Sequence, residues 1–426
     1  MDLAEKILNG WTITKPQRQF LLNLFTTILS LRGKVTFRNL SRYSDHSART
    51  YARQFDQAFD FIGLNRALIE AIVPLDAPRL IAFDPCFIPK AGKHTPELGY
   101  FWNGCHSRAE KGLEVSAFSV IDLAHHTGYA LSVEQTPAPN TRRTDEETLI
   151  DSYLAHLRRI APYLHPAEQH VAVDGQLANQ QWLEGIEAVG LHTIGKLRRD
   201  AKIRFFYTGP GRAKGSGRQN TYDGKVDWQD LSRFDYVTQQ DGFHLYTQRL
   251  NHVTFDRTLR VVVVLDRRQR NKTRYVLLFS TDLDLDPVTL FYMYKARFQI
   301  EFIFRDAKQF TGLADAQTRD PQRLRFHFNV ALTTLNIAKI EQRQAQSDDQ
   351  PMVYSMASVK ADYFNERFLH RIFPCAVGTG NSEKNHPSTN SSENMAASLL
   401  KKCPLYCKND MELIFGKKVV LFLKYG

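Results

Sequence analysis

Long hydrophobic runs, a signal peptide and a disulfide framework are all missing from this sequence of 426 residues. No run of about 18 apolar residues is present, so we expect no membrane-spanning helix. The N-terminal stretch MDLAEKILNGW lacks the layout of a signal peptide. Five cysteines, an odd number, are scattered along the chain at Cys86, Cys105, Cys375, Cys403 and Cys407. We therefore expect a protein of the reducing cytoplasm.

The chain also has fewer acidic than basic residues. The chain has 45 acidic and 56 basic residues, which gives a net charge of +11 and a pI near 9.3. A basic surface attracts polyanions and binds them with release of counterions, which favours nucleic acid as a partner. An ordinary basic soluble protein is the alternative. The length exceeds what one core accommodates and predicts two or three domains.

The first 76 residues are predicted to be helical. Residues 16–33 form an amphipathic pattern that ends at Gly33, and two shorter helical patterns follow, separated by a turn. The second of these, from about Ser47, would present Arg49 and Arg53 outward. A basic second helix after a turn is typical of helix-turn-helix DNA binding. An ordinary three-helix bundle with a solvated basic face is the alternative.

After Pro78 the pattern changes to strands. The order strand-strand-strand-helix-strand-helix predicts an α/β fold with a mixed sheet. The segments are RLIAFDP, LEVSAFSVIDL, TGYALSVEQ, a helix at about 145–164, QHVAVDG and NQQWLEGIEAVG, with HTIGKL as a further strand. Three more strands are predicted at about 244–250, 259–267 and 275–281, and helices begin near Pro287 and Pro321.

Two segments are rich in glycine or in polar residues. GPGRAKGSGRQNTYDGK, at 209–225, is either a loop that follows a phosphate backbone or a plain surface loop. From Gly378 the segment GTGNSEKNHPSTNSSEN is polar and low in complexity, which indicates a linker or disorder. Arg198 and Arg199 either touch DNA or are merely solvated.

Two aspartates each follow a short apolar strand, a position that predicts a functional site. Asp84 follows the apolar strand LIAF, and Asp174 follows VAV. Carboxylates at strand ends of an α/β sheet lie where such folds place their sites. Because a lone buried carboxylate is costly, each needs a partner, and Mg²⁺ or Mn²⁺ prefers such oxygen ligands. A turn former or a helix cap is the alternative for either aspartate taken separately.

The stretch YKARFQIEFIFRDAK, residues 294–308, predicts a helix with one polar stripe. At about 100° per residue the stripe is roughly 80° wide and has Glu301 in its middle. Its members are Tyr294, Arg297, Glu301, Arg305 and Lys308. Most of the remaining surface is apolar. A helix stabilised only by its own ion pairs, each worth a few tenths of a kcal/mol, is the alternative.

The spacing of Tyr294, Arg297, Glu301 and Lys308 resembles the YREK signature of DDE transposases of the insertion-sequence-four family. All four residues stand at the family spacing, after two strand-end aspartates. Further segments also resemble the family, and the likeness covers about residues 16–373. They are KHTPELGYFWNGCHSRAEKGLEVSAFSVIDL, GKLRRDAKIRFFYTGPGRAKG, KVDWQDLSRF and YSMASVKADYFNERF.

The resemblance implies an RNase H-like mixed sheet with flanking helices and a β-rich insertion before the catalytic glutamate. In that arrangement 1–76 is a helical DNA-binding domain, 77–200 and 286–345 form the catalytic core, and 201–285 is the insertion. Composition, and not the resemblance, predicts that residues 346–426 are a C-terminal region with a flexible linker at 374–395. Asp84, Asp174 and Glu301 match the triad that binds two Mg²⁺ or Mn²⁺ ions.

The resemblance also implies partners and contacts. Tyr294, Arg297 and Lys308 match residues that hold the phosphates and terminal bases of a transposon end, and Arg305 lies beside them. Trp228 either stacks on an extruded base or is a core residue. The expected partners are the element's inverted-repeat ends, target DNA and a second copy of the chain, at the bacterial nucleoid and not at a membrane. An inactive or truncated copy that binds element ends and inhibits transposition is the alternative function.

Overall fold

In this computed structural model the described residues contain one mixed β-sheet of twelve strands. The structure describes residues 1–139, 148–210, 218–267, 274–345 and 354–372. Residues 211–217 of the glycine-rich segment, the linker predicted at 374–395 and three cysteines (Cys375, Cys403 and Cys407) lie outside the described residues. The end of the glycine-rich segment, Tyr222–Lys225, is a strand and not part of a loop. Residues 1–369 form one compact unit. The prediction of a mixed sheet with flanking helices is confirmed.

The strands of this sheet occupy residues 79 to 280. They are β1 (Arg79–Pro89), β2 (Gly99–Asn103), β3 (Arg108–Asp122), β4 (Thr127–Gln135), β5 (His170–Ala172), β6 (His192–Leu197), β7 (Ile203–Phe206), β8 (Tyr222–Lys225), β9 (Asp235–Gln240), β10 (Phe243–His252), β11 (Arg257–Asp266) and β12 (Arg274–Ser280).

Helices precede the sheet, connect its strands and follow it. They are α1 (Asp2–Asn9), α2 (Lys15–Ser30), α3 (Phe37–Leu40), α4 (Ala48–Phe55), α5 (Phe61–Glu70), α6 (Leu149–Ile160), α7 (Gln180–Glu187), α8 (Pro287–Ala296), α9 (Gln299–Asp306), α10 (Pro321–Ala345) and α11 (Met356–Ile372). None of the helices in the described ranges has both the length and the apolar character needed to cross a bilayer.

The order of the strands sets the position of the carboxylates. β4, β3 and β1 are antiparallel neighbours, whereas β1, β5 and β6 run parallel. β12 then pairs antiparallel with β6, and β11, β10, β7 and β8 continue the same sheet. The strands between residues 201 and 285 therefore extend the sheet that carries Asp84 and Asp174.

Asp84 lies inside a strand and not at its end, which corrects the prediction from the sequence. β1 continues for five residues beyond Asp84, to Pro89, because β3 is long enough to pair with it throughout. Asp84 is opposite Ala117, and Pro89 is opposite Gly112. Only the parallel pairing of β1, with β5, stops short of Asp84. The aspartate therefore follows the parallel part of its strand.

The two faces of the sheet pack against different helices. Side chains alternate between faces along a strand, so Ile81 and Phe83 share a core with α6 and α7. Leu80 and Ala82 share the other core with α8, α9 and much of α10. Asp84, two residues after Ala82, points to this second face.

Polar side chains of α10 cover the outer edge of β4. The Asn336 amide accepts a hydrogen bond from the Ala130 N–H at 2.9 Å and donates to its carbonyl at 2.7 Å. Asn329 and Lys339 donate to the carbonyls of Val133 and Gly128. These bonds satisfy backbone groups that a neighbouring strand would otherwise pair, and they fix α10 on the sheet.

His156 on α6 is buried between two serines, and we expect it to make stability sensitive to acid. Its ring nitrogens lie 2.9 Å from the Ser116 hydroxyl and 2.8 Å from the Ser132 hydroxyl. Burial, with a smaller contribution from Arg325, lowers the pKa of His156 to about 3. The unfolded imidazole takes up a proton below about pH 6.5, and the folded one does not until much lower pH.

Stability should therefore fall as the pH falls below about 6.5, by about 1.4 kcal/mol per pH unit from this group. Urea unfolding at pH 7, 6 and 5 checks this for the wild type and for His156→Asn. The wild type should lose about 2 kcal/mol more than His156→Asn between pH 7 and 5. His94→Asn, at an exposed histidine, is the control. Equal pH slopes for the wild type and His156→Asn would contradict the expectation.

Candidate active site

Asp84 in β1 and Asp174 just after β5 lie side by side, because the two strands are parallel neighbours. Ala82 of β1 pairs with Ala172 of β5, and each aspartate follows two residues later. Parallel strands are about 4.8 Å apart, so the two carboxylates share one level of the sheet. They also share one face, since Ala82 and Ala172 belong to the core formed with α8, α9 and α10. Asp174 also caps a short 3-10 turn, because its Oδ1 accepts the Gly175 N–H at 2.7 Å.

The helix predicted at 294–308 is interrupted, which corrects the expectation of one continuous helix. α8 ends at Ala296 and α9 begins at Gln299. At the junction the hydrogen bonds change from i→i−4 to i→i−3, with the Ile300 N–H bonded to Arg297 and the Glu301 N–H bonded to Phe298. After α9 a π-helical turn spans Ala307–Thr311. The polar stripe is therefore carried by three short helical pieces.

Glu301 is brought to the aspartates by α9, which packs across β1 and β4. Its Oε1 accepts a hydrogen bond from the Arg297 guanidinium at 3.0 Å. Arg297 is only 9% exposed, although it carries a full charge. Burial by itself would lower the pKa of Arg297, but Asp84, Tyr294, Glu301 and Asp174 together raise it. The arginine is therefore held by the negative charge of the three carboxylates.

The three carboxylates lie within electrostatic reach of one another. Burial raises the pKa of Asp84 to about 7, and Glu301 and Asp174 add to the rise while Arg297 opposes it. Burial also raises the pKa of Glu301, and Asp174 acts in the same direction. The carboxylates on β1, just after β5 and on α9 therefore form one acidic group around Arg297.

The donor set of this group suits a hard divalent cation. Carboxylate oxygens are the ligands that Mg²⁺ and Mn²⁺ prefer, and a bound cation would relieve the repulsion that raises the two pKa values. The described residues contain no group of three acidic, histidine or cysteine side chains already placed as ligands. Glu301 is instead paired with Arg297. The chemistry of the residues fits the metal, and ligation by all three carboxylates requires their side chains to move closer together.

The other residues of the polar stripe differ in how close they lie to the carboxylates. Burial raises the pKa of Tyr294 to about 12, and its ring centre lies 5.9 Å from the Arg297 guanidinium carbon. The Lys308 ammonium donates to the Phe87 carbonyl of β1 at 2.8 Å. Arg305 is half exposed and pairs with Asp306 at 2.9 Å. Tyr294 and Arg297 thus lie next to the acidic group, and Arg305 faces solvent.

Lys196 is a residue of this region that the sequence analysis missed. Ala172 pairs with Ile194, so continuing the register places Lys196 beside Asp174, on the same face of the sheet. Lys196 is exposed. Arg198 and Arg199 follow just beyond the end of β6, where Arg198 pairs with the exposed Asp200 and Arg199 lies over the Tyr275 ring. Side-chain alternation along HTIGKL was the signal that could have found Lys196.

Arg49 and Arg53 lie away from the carboxylates, on α4. That helix buries Tyr51 and Phe55 and exposes both arginines. Ser47 caps its N-terminus by accepting the Thr50 N–H at 3.1 Å. The two arginines line a surface groove that also includes Asp56 and Arg323, which form an ion pair with each other.

Trp228 belongs to the core of the segment 201–285. Its side chain is 8% exposed and its ring centre is 6.1 Å from that of Phe234. Stacking of Trp228 on an extruded base would require the ring to leave this core. Trp228 is therefore buried in a core, which is one of the two roles that the sequence left open.

Comparisons with known proteins agree with the chemistry of these residues. A family model described as the transposase DDE domain matches residues 77–337, which include Asp84, Asp174 and Glu301. No curated protein matches the sequence. A solved structure of endonuclease V from Bacillus subtilis is 15% identical, and the match covers 68% of this chain and 96% of that chain with a TM-score of 0.25. A TM-score of that size does not establish a shared fold.

Proposed function

Because this chain belongs to the transposase DDE domain family, we propose that it cuts DNA at the ends of an insertion sequence and joins the freed 3′ hydroxyls to target DNA. The convergence of Asp84, Asp174 and Glu301 around Arg297 is the observation that carries this proposal. Three carboxylates on one face of a sheet, with cations beside them, suit phosphodiester chemistry. The spacing of Tyr294, Arg297, Glu301 and Lys308 supports assignment to the insertion-sequence-four family with its YREK signature.

The catalytic core is proposed to be RNase H-like. The neighbouring strands β4, β3 and β1 are antiparallel and β1, β5 and β6 are parallel, which supports this assignment. Residues 201–285 are the proposed insertion, and residues 1–76 the proposed DNA-binding domain. Within that domain Arg49 and Arg53 on α4 are exposed and available to the phosphates or base edges of a duplex.

Asp84, Asp174 and Glu301 are the residues that would hold two Mg²⁺ or Mn²⁺ ions. Bound there, the ions would supply Lewis-acid stabilisation of the reacting phosphate and a more acidic water nucleophile. The protein positions the substrate through its cations, because charge-assisted bonds to phosphate are strong. Arg297 contacts the acidic group, and Lys308 and Lys196 lie at its border. We assign these three residues to the phosphates next to the cleaved bond.

Arg297 has a second role in this proposal. In the DNA-free protein its guanidinium holds Glu301 at 3.0 Å. A DNA phosphate competes for the same guanidinium, so binding of the substrate would release Glu301 for the metal. Arg305, Arg198 and Arg199 are assigned to more distant phosphates, since all three are exposed. A second copy of the chain is proposed to hold the other element end.

The test is cleavage of a labelled duplex that carries the terminal repeat flanking the coding sequence. We expect nicking at the repeat boundary with Mg²⁺ or Mn²⁺ and none with EDTA, because the carboxylates alone do not activate water. A duplex of equal length with a scrambled terminal repeat is the control. Nicking that persists in EDTA, or that ignores the boundary, would contradict the proposal. Binding to the repeat without nicking would favour the inactive copy.

A further inference from the structure

The hairpin of β2 and β3 extends past the edge of the sheet that carries the carboxylates. Asp84 is opposite Ala117 of β3, and β3 continues from there back to Arg108, nine residues away. At about 3.4 Å per residue this is roughly 30 Å. Gly112 is the last residue paired with β1, and from there to the tip β3 is paired only with β2. We call residues 99–112 the arm.

The arm exposes two large aromatic side chains. Tyr100 is 68% exposed and Trp102 is 53% exposed. The residues that alternate with them, Phe101 and Asn103, are buried. Tyr100 is opposite Lys111 and Trp102 is opposite Ala109. Directly opposed residues point to the same side of a hairpin, so one face of the arm presents Tyr100, Lys111, Trp102 and Ala109. Neither ring contributes to a buried core.

This aromatic face is continuous with the face of the acidic group. Lys111, Leu113, Val115 and Ala117 alternate onto one side of β3, and Ala117 is opposite Asp84. Leu113, Val115 and Ala117 belong to the core that contains Ala82 and Ala172. Asp84, Lys111 and Trp102 therefore lie on one continuous face formed by β1, β3 and β2.

The charge of the aromatic face favours a polyanion. Its charged member is Lys111, which donates to the Gly92 carbonyl at 2.9 Å, so two of its ammonium protons remain available. Lys93, on the connection to the arm, is exposed. The carboxylate of the arm, Glu110, points to the other face, where Arg108 and Asn103 bind it at 2.7 Å. Aromatic rings interleaved with lysine are typical of surfaces on which nucleobases stack.

We propose that the arm binds the DNA that carries the cleaved phosphodiester, with Tyr100 and Trp102 stacking on unpaired bases near the element end. Lys111 lies six residues along β3 from Ala117, and Ala109 lies eight residues away. These separations are roughly 20 and 27 Å, or about six and eight nucleotide steps of 3.4 Å. The inference rests on the proposed function, and it adds a binding site outside the carboxylates and the cations beside them.

The arm offers an exposed tryptophan ring for base stacking, which the segment 201–285 does not offer at Trp228. Trp228 is buried in the segment 201–285, whereas Trp102 is exposed and lies on the active-site face. An exposed ring stacks on a base without disrupting a core. The stacking role considered for Trp228 is therefore better suited to Trp102.

The experiment uses the full chain and synthetic duplexes of the terminal repeat with a single unpaired 2-aminopurine, opposite an abasic site, four to ten nucleotides on either side of the boundary. We expect the wild type to quench the probe about six to eight steps from the cleaved bond. The double variant Tyr100→Leu/Trp102→Leu should lose the quenching and bind at least about 5-fold more weakly, the low end of the range for one stacked base. Tyr100→Phe/Trp102→Phe keeps both rings and should restore quenching.

Phe368→Leu is the matched control, because Phe368 is 52% exposed on α11 and lies outside the arm. Unchanged quenching and affinity in the leucine double variant would overturn the inference. So would a change confined to DNA of unrelated sequence, which would indicate a site for target DNA. Conversion of a dimer to a monomer with normal quenching would identify the arm as a contact between copies.

Failure of this inference is separable from failure of the proposed function. Wild-type protein that nicks the boundary with Mg²⁺ but shows no difference among the arm variants overturns the arm alone. Wild-type protein that does not nick the boundary contradicts the proposed function, whatever the 2-aminopurine signal shows. Thermal unfolding of each variant checks that these exposed substitutions leave the fold intact.

Discussion

Glu301→Gln should lower the rate of Mg²⁺-dependent nicking at least about 10³-fold, because in the proposed function the three carboxylates hold the metal as a unit. Glutamine keeps the size of the side chain and removes the negative charge. Binding of the terminal-repeat duplex should stay within about threefold of the wild type, or become tighter, because Arg297 loses its charged partner and gains freedom to bind phosphate. Rates come from single-turnover nicking and affinities from fluorescence anisotropy.

Glu70→Gln is the control for this substitution, since Glu70 is exposed at the end of α5. It should nick at the wild-type rate. Asp84→Asn and Asp174→Asn should reproduce the loss seen in Glu301→Gln. Cutting that persists in Glu301→Gln, at more than about a tenth of the wild-type rate, would exclude Glu301 from the metal site.

Glu168→Ala should lower the free energy of unfolding by about 3–5 kcal/mol, because it leaves buried cations without a counter-charge. Both Glu168 oxygens accept hydrogen bonds from Arg66 of α5, at 2.8 and 2.7 Å. Arg79, at the start of β1, lies 3.8 Å from the same carboxylate. All three side chains are buried, so this group joins the N-terminal helices to the sheet.

Urea unfolding followed by circular dichroism measures the effect. Glu168→Gln keeps part of the hydrogen bonding and should lose less than Glu168→Ala. Asp284→Ala removes an exposed ion pair with Arg249 and should cost about 0–1 kcal/mol. Equal losses in Glu168→Ala and Asp284→Ala would show that the buried group does not hold α5 to the sheet.

Much of the fold could be predicted because the strands have strong local signals. LRVVVVLDR and YVLLFST became β11 and β12 within a few residues of the predicted limits. The length of β1 could not be predicted, because the residues after Asp84 are strand only through their pairing with β3. The break between α8 and α9 was also missed, since the apolar and polar pattern is the same on both sides of Arg297.

The candidate site was predictable where a residue type and its spacing carry the chemistry. Glu301 and Arg297 were found in this way, and the structure places them 3.0 Å apart. Lys196 depends on the register between β5 and β6, which joins residues about twenty positions apart. Tyr100 and Trp102 look like ordinary strand residues, and only their exposure distinguishes them. Long-range pairing and exposure are properties of the folded chain.

The pairing of β12 with β6 restricts how this protein can evolve. Four residue pairs, from Leu277 with Leu197 to Ser280 with Ile194, join the segment 201–285 to the strand that follows Asp174. A gene that lost this segment would leave β6 as a bare apolar edge, and unpaired edges of that kind template aggregation. A deletion that shortens the segment 201–285 must therefore keep β12 or replace it with another strand. The segment therefore protects the edge of the sheet, whether or not it also contacts DNA.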